Sequence, residues 1–216
     1  MAGTGDGTVG KALEVLDQVA SFGKPVRFSD VLAGSTFPKP TLYRLLQTLV
    51  SQNMLDYNLD RQTYAPGGRL VRLAHAAWAQ SSLVQVASPH LLRLSVATSE
   101  TVHLAQLDHA QVLYLDKRNA AHPVEMFSQA GKVGPVYCTG VGKAMLAFTE
   151  DAQADVIIAQ QSFHKFQSGT LTTPAALRRE LQAIRTRGYA FDREEHEPGI
   201  ICIAMPIVTP SGRVLG

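Results

Sequence analysis

Residues 37–55, FPKPTLYRLLQTLVSQNML, constrain the fold more than any other stretch. Leu42, Leu45, Leu46, Leu49 and Val50 recur at helical spacing, and Pro38 and Pro40 sit at the start, where a missing N–H costs little. A helix apolar along one side must pack against something, and the flanking sequence supplies partners. Over 9–20, VGKALEVLDQVA, the residues Val9, Leu13, Leu16 and Val19 with Ala20 make one apolar helical face, stopped by Gly23 and Pro25. Ser29 is placed to cap a short helix, SDVLA, that Gly34 ends. After the leucine-rich helix, YNLDRQTY (57–64) carries the turn residues Asn58, Asp60 and Arg61 between strand-like ends, the pattern of a β-hairpin. Three helices followed by a hairpin is the winged helix-turn-helix order.

In that order the third helix meets DNA. Lys39, Thr41, Tyr43, Arg44 and Gln47 lie off the leucine stripe, mostly in the N-terminal half that a recognition helix presents to base edges. Arg reads guanine bidentately, and Thr, Gln and Lys contact bases or phosphates. Arg61, at the tip of the wing, is placed for a phosphate or the minor groove. Taken alone, these polar residues equally describe the solvated face of any surface helix; the order of elements is what favours DNA. Net charge does not help. The first 66 residues hold six cations (Lys11, Lys24, Arg27, Lys39, Arg44, Arg61) and six anions (Asp6, Glu14, Asp17, Asp30, Asp56, Asp60), so the distribution of charge must do what the sum does not.

The whole chain of 216 residues has a net charge of +2, 45% hydrophobic and 18% charged residues, enough apolar material for two small cores. No apolar run approaches the roughly 18 residues of a membrane span, and MAGTGDGTVG has neither half of an export signal. Two cysteines, Cys138 and Cys202, are too few for a disulfide framework and fit a reduced, cytoplasmic setting. From Gly68 to Glu100 the sequence is helix-rich. Leu70, Leu73 and Ala77, then Leu83, Val86, Leu91 and Leu94, continue without a Gly/Ser/Pro linker, so the connection itself is predicted to be a helix. Trp78 is expected to pack in an interface or core.

Beyond it, TVHLAQLDHAQVLYLDK reads as two strands joined at Asp108-His109-Ala110, and VEMFSQ as a further short strand. TGVGKAMLAF opens a helix and DAQADVIIAQ forms another. In LTTPAALRRELQAIRTRG, Thr173 caps, Pro174 starts, Leu177, Leu181 and Ile184 make the stripe, and Gly188 stops it. GYAFDREEHEPGIICIAMPIV gives a strand, a charged loop and a long apolar strand. A sheet with helices at its margins predicts an α+β, sensor-like domain.

PVYCTGVGKAMLA (135–147) invites a chemical reading. A phosphate loop, GxxxxGK[ST], would need glycine at Tyr137 and a hydroxyl at Ala144, and G-x-G-x-x-G fails at Met145. Cys138 at a helix start is a candidate nucleophile for acyl transfer or hydrolysis, but no histidine lies near it in sequence. Glu194, Glu195, His196 and Glu197 are ligand types without a metal-binding spacing and read as a solvated acidic loop. No cofactor motif is present. What remains is a helix start with unpaired N–H groups, suited to a carboxylate. Gly140 and Gly142 would let it approach, with Cys202 as a small wall, unless these glycines serve only close packing.

TFPKPTLYRLLQTLVSQNMLDYN with the YAPG turn (64–67) resembles the DNA-binding domain of IclR-family transcriptional regulators. That family has a small hydroxylated residue where this chain has Pro40. PVYCTGVGKAMLAF and GYAFDREEHEPGIICIAMPI look like the signature stretches of the family's GAF-like effector domain, and TVHLAQLD and VLYLDK extend the similarity to essentially the whole chain. The resemblance implies a winged helix-turn-helix over 1–67, a linker helix over 68–81 that helps pair protomers, and a GAF-like mixed α/β effector domain over 82–216. It puts the effector pocket on Gly140, Val141, Asp192 and Cys202, with Gly134 nearby. It also implies serines on a strand past Gly216, a final helix, and so a longer natural product. The expected partners are double-stranded operator DNA, a small carboxylate or aromatic acid, and a second or fourth copy of the chain. A cysteine enzyme using Cys138 and a protein-binding module are the competing readings.

Overall fold

The computed structural model describes residues 7–80, 82–122, 124 and 126–216. The chain divides into two compact units, Met1–Ser81 and Ser82–Gly216. The packing expected of Trp78 concerns a side chain outside those described.

In the first unit α1 (Thr8–Ser21), α2 (Phe28–Ala33) and α3 (Lys39–Ser51) surround one core, closed by a small antiparallel sheet. Its strands β1 (Val26–Arg27), β2 (Leu55–Asn58) and β3 (Thr63–Pro66) lie in the order β1-β3-β2. Leu42, Leu45, Leu46 and Leu49 are all buried against Val15, Leu16 and Val19 of α1. The face predicted for α1 is turned from the observed one: Val9 and Leu13 are exposed, because Val15, Leu16 and Val19 are the residues that meet α3. The cap of α2 also differs. Asp30 Oδ2, not Ser29, takes the Arg27 N–H at 3.1 Å, so the helix starts one residue earlier, at Phe28. Gly67 follows the wing because a Cβ there would run into the Asn53 backbone, and its N–H closes the turn on Met54 O at 2.9 Å. α4 (Gly68–Gln80) then leaves this core.

The second unit begins with α5 (Ser82–Thr98), which lays Ala87 and Leu91 on Leu104 and Leu115 and leaves Val86 and Leu94 exposed. β4 (Val102–Asp108) and β5 (Gln111–Arg118) form the expected hairpin, whose two-residue turn His109-Ala110 has the positive φ values such turns require. The next strand is not VEMFSQ. Among its described residues none is in a strand; β6 is Val133–Gly134, paired with Leu113 and Val112. The Phe127 amide is instead given to the Glu197 carboxylate at 2.9 Å, which removes it from any ladder. α6 (Gly140–Phe148), α7 (Asp151–Ala159) and α8 (Pro174–Arg187) follow, then the antiparallel pair β7 (Ala190–Arg193) and β8 (Ile201–Ala204). The long apolar strand is thus cut to four residues, and Pro206 stands just beyond it. α8 ends as its sequence dictates: Thr173 Oγ1 accepts from the Ala176 N–H at 3.2 Å, and Gly188 takes the left-handed conformation at φ 86°.

Thr173→Ala removes that capping acceptor and is expected to cost about 1 kcal/mol of stability. Urea unfolding followed by circular dichroism measures it; an unchanged midpoint would show that solvent replaces the cap at no cost.

Candidate functional site

Two sets of residues carry the chemistry, one in each unit. In the first, burying the leucine side of α3 leaves Lys39, Tyr43, Arg44 and Gln47 exposed and Thr41 half-buried. Tyr43 is braced edge-on by Phe28, with ring centroids 6.1 Å apart. Gln47 is already engaged, through a hydrogen bond to the Tyr64 hydroxyl, whose pKa is raised chiefly by burial. At the wing tip Asn58 Oδ1 accepts from the Arg61 N–H at 2.9 Å, which fixes the turn and leaves the Arg61 side chain exposed. Arg44 and Arg61 form no ion pair among the described residues, so their charges are available to a ligand.

In the second unit the first residue of α6 is pressed against the β7–β8 pair. Asp192 and Cys202 are register partners, and a Cβ on Gly140 would lie 2.6 Å from Cys202 Sγ and 3.5 Å from Asp192 Cβ. The structure therefore brings Gly140, Asp192 and Cys202 together, with Val141 half-buried beside them. Gly142 has a different reason to be glycine: a Cβ there would sit 2.5 Å from Val136 O. Of the two glycines expected to admit a ligand, Gly142 serves close packing alone.

The helix start is less open than an isolated helix would be. The Gly142 N–H goes to Thr139 Oγ1 at 3.3 Å, and the Gly140 backbone hydrogen-bonds the Cys202 sulfur. The Val141 amide has no backbone partner among the described residues. One turn on, Lys143 is 1% exposed and paired with Glu195, itself buried. The Glu195 backbone N–H donates to Asp192 Oδ1 at 2.9 Å, its carbonyl accepts from Thr170 Oγ1 at 2.6 Å, and its Oε2 has no partner among the described residues. Two buried carboxylates thus share one lysine. Burial pushes both carboxyls above the usual carboxylate range, and Lys143 opposes the shift without cancelling it.

The acidic loop is therefore not solvated as expected. Glu195 is buried, Glu197 holds the Phe127 amide, and His196 packs between the rings of Phe127 and Phe166, at 5.4 and 4.6 Å. Cys138 is wholly buried, and burial next to Asp192 and Glu195 pushes its thiol up to about 12. A thiol held protonated in this way is a poor nucleophile. Cys202 is pushed up to about 11, chiefly by burial and then by the Asp192 charge. Among the described residues no group of three or more His, Cys, Asp or Glu is arranged to hold a metal ion.

Gly134 lies on β6, where a Cβ would be 3.5 Å from the Tyr114 ring and 3.9 Å from Phe127. Tyr114 joins it to the rest, since its phenol feels the charges of Cys202 and Asp192 and is raised mainly by burial. His103 stacks edge-on against Tyr114 at 5.5 Å and hydrogen-bonds Ser128 Oγ at 2.9 Å; burial and Lys117 lower its pKa, so the ring is neutral at pH 7. Sequence reading missed His103, Tyr114 and Phe127. The alternation of the two strands was the available signal, but a register shift at Leu104/Ala105 separates His103 from a regular pattern. The space in front of Gly140 is filled by protein. Two open concavities lie elsewhere: one of about 700 Å³ between α3 and the wing, and one of about 1160 Å³ between Ala147–Asp151, Arg185 and the segment 211–215.

Comparison with known proteins places both units. Residues 8–58 match the IclR helix-turn-helix domain, and residues 75–216 the C-terminal domain of the bacterial transcriptional regulator IclR. The chain is 30% identical over 208 residues to the HTH-type transcriptional regulator XynR of Escherichia coli, covering 96% of this chain and 82% of the relative. It is 32% identical over 202 residues to the regulator BhcR of Paracoccus denitrificans, covering 94% and 72%. Among solved structures, an IclR homologue of Microbacterium hydrocarbonoxydans complexed with 4-hydroxybenzoate superposes with a TM-score of 0.83 at 26% identity, covering 97% of this chain and 86% of the other. The matched relatives are regulators and not cysteine enzymes.

Because its carboxyl pKa is raised by burial, ionised Asp192 opposes folding. That penalty is present above the folded pKa and fades as pH falls toward the unfolded value. Asp192→Asn keeps the oxygen that accepts from the Glu195 N–H. It is expected to raise the thermal midpoint at pH 8, with the gain shrinking toward pH 4. Scanning calorimetry of both proteins across that range tests the sign; a loss of stability at pH 8 would contradict it.

Proposed function

We propose, on the premise that this chain belongs to the IclR family of bacterial transcriptional regulators, that it binds an operator through α3 and the wing and releases or engages it in response to a small organic acid. Thr41, Tyr43 and Arg44 meet the major groove and Lys39 and Arg61 the flanking backbone, with Gln47 reaching a base only by giving up Tyr64. The observation that carries this is the unpaired cationic face of α3 set on a rigid leucine core. The segments 1–67, 68–81 and 82–216 act as reader, connector and sensor. As a DNA-bound regulator the protein works in the cytoplasm; no helix among its described residues is long and apolar enough to cross a membrane.

Two recognition helices on one palindromic site require at least a homodimer. What supports pairing through α4 is that every side chain over residues 71–77 is exposed, Val71 and Leu73 among them, which leaves this apolar stretch uncovered among the described residues. A dimer or a tetramer satisfies it.

The effector reading rests on Gly134, Gly140, Val141, Asp192 and Cys202. An acid entering there meets the Val141 amide and the Tyr114 phenol, while the raised pKa values of Asp192 and Glu195 let a proton offset the added charge. The aromatic wall of His103, Tyr114 and Phe127, and the 4-hydroxybenzoate held by the Microbacterium relative, favour an aromatic acid. Since Cys202 fills the space at Gly140, binding must shift it. Such a shift changes the DNA-binding units only if the ligand prefers one arrangement over another.

A gel-shift with the region upstream of the gene tests the first half. Arg44→Ala is expected to cost about 1–3 kcal/mol of operator affinity, some 5- to 150-fold; no shift with any upstream fragment at low salt would sink the DNA-binding reading. For the second half, 4-hydroxybenzoate and small aliphatic carboxylates are screened by thermal shift. A ligand at 100 times its Kd stabilises by about 2.7 kcal/mol. A rise that survives replacement of Tyr114 by Leu would argue against this pocket.

A further inference from the structure

We propose that Arg27, which lies outside the recognition helix, is a DNA-backbone contact: together with Lys39 it seats a phosphate of one strand in the cleft between α3 and the wing. The proposal rests on the DNA-binding reading above and extends it to a residue that reading does not include.

The cleft holds about 700 Å³ and is walled by the start of α2, the first turn of α3 and the inner side of the β2–β3 hairpin. Its lining includes the cations Arg27 and Lys39, the phenols of Tyr43 and Tyr57 and the amide of Gln62, with no carboxylate among them. A segment whose charges sum to zero therefore has a local surplus of two here. Asp30, the nearest acid in sequence, is turned away onto its own helix start: Oδ2 takes the Arg27 N–H at 3.1 Å and Oδ1 the Ser29 hydroxyl at 3.4 Å. Neither Arg27 nor Lys39 forms an ion pair among the described residues, and both are exposed.

The root of Arg27 is rigid. Val26 before it is 2% exposed, Arg27 pairs with Thr63 in the sheet, and Phe28 after it packs edge-on against Tyr43 of α3. With its backbone fixed, only the Arg27 side chain has to be ordered when it takes an anion. Pro40 stands in the first turn of α3. It offers neither an N–H nor a hydroxyl, so the phosphate facing that turn gains its second charge from across the cleft. Because Arg27 stands on a strand beside the wing and not on α3, it positions the duplex without reading its sequence.

The test is fluorescence anisotropy on the full chain with two labelled duplexes of equal length, the region upstream of the gene and an unrelated sequence, between about 0.05 and 0.2 M salt. Arg27→Gln should weaken both duplexes by one common factor, about tenfold, and reduce the slope of log affinity against log salt by about 0.9. Arg27→Lys should keep the slope, and Lys39→Gln should repeat the uniform loss. An Arg27→Gln protein with unchanged affinity and slope overturns the proposal and leaves the DNA-binding reading intact. A loss confined to the upstream duplex also overturns it, because Arg27 would then read a base. If the unaltered protein binds neither duplex at the lowest salt, the reading falls and this proposal with it.

Discussion

Helix α6 lies almost entirely inside its unit, and the arrangement around it follows from how closely it is packed. From Gly140 to Ala147 every side chain but that of Val141 is buried, including the ammonium of Lys143. A buried lysine has to be paired, and Glu195 is the partner, so the loop after β7 is drawn in over the helix. Breaking such a pair by removing one member leaves an uncompensated charge, at a cost of about 3–5 kcal/mol. The inward pull also carries Asp192 into the interior, held by the Glu195 N–H, and brings His196 and Glu197 against Phe127. One ion pair thus organises the acidic cluster, the aromatic wall and the segment in front of Gly134.

That organisation gives the sensing unit an electrical character its net charge conceals. Two carboxylates and two thiols lie near one lysine and one helix start, and burial favours the protonated form of each acid. Such a place is poorly suited to thiol chemistry. The DNA-binding unit works the other way round. Its charges are on the surface, Asp30 is spent on capping α2, and its cations at Arg27, Lys39, Arg44 and Arg61 are left unpaired among the described residues.

Much of the fold was legible. The leucines of α3, the wing, the β4–β5 hairpin, and the Thr173 cap and Gly188 stop of α8 are local signals, and each element formed as read. The misreadings share a cause. VEMFSQ has strand composition, but the Phe127 N–H is claimed by a carboxylate seventy residues away. Ser29 is a good cap by type, yet Asp30 reaches the end of the helix first. Glu194 to Glu197 looked solvated because the residue that pairs Glu195 inside the protein is not near it in sequence; Lys143 is 52 residues distant. In the candidate effector site, Gly140 and Cys202 were anticipated together, while His103 and Tyr114 were passed over because neither is unusual in a strand.

The sequence by itself determined most of the helices and the two hairpins, that the first 66 residues make a three-helix core with a wing, and that the phosphate-loop and dinucleotide patterns fail. These follow from periodicity, capping and residue counts, which act over a few positions. Only the tertiary structure decided that Gly142 is glycine to admit the Val136 carbonyl, that Lys143 is spent inside the protein, and that Cys138 is wholly buried with its thiol pushed up. Only it showed two cations of a neutral segment facing one cleft. The physical reason is that burial and electrostatic partnership depend on distance in space, and residues that meet there stand tens of positions apart along the chain.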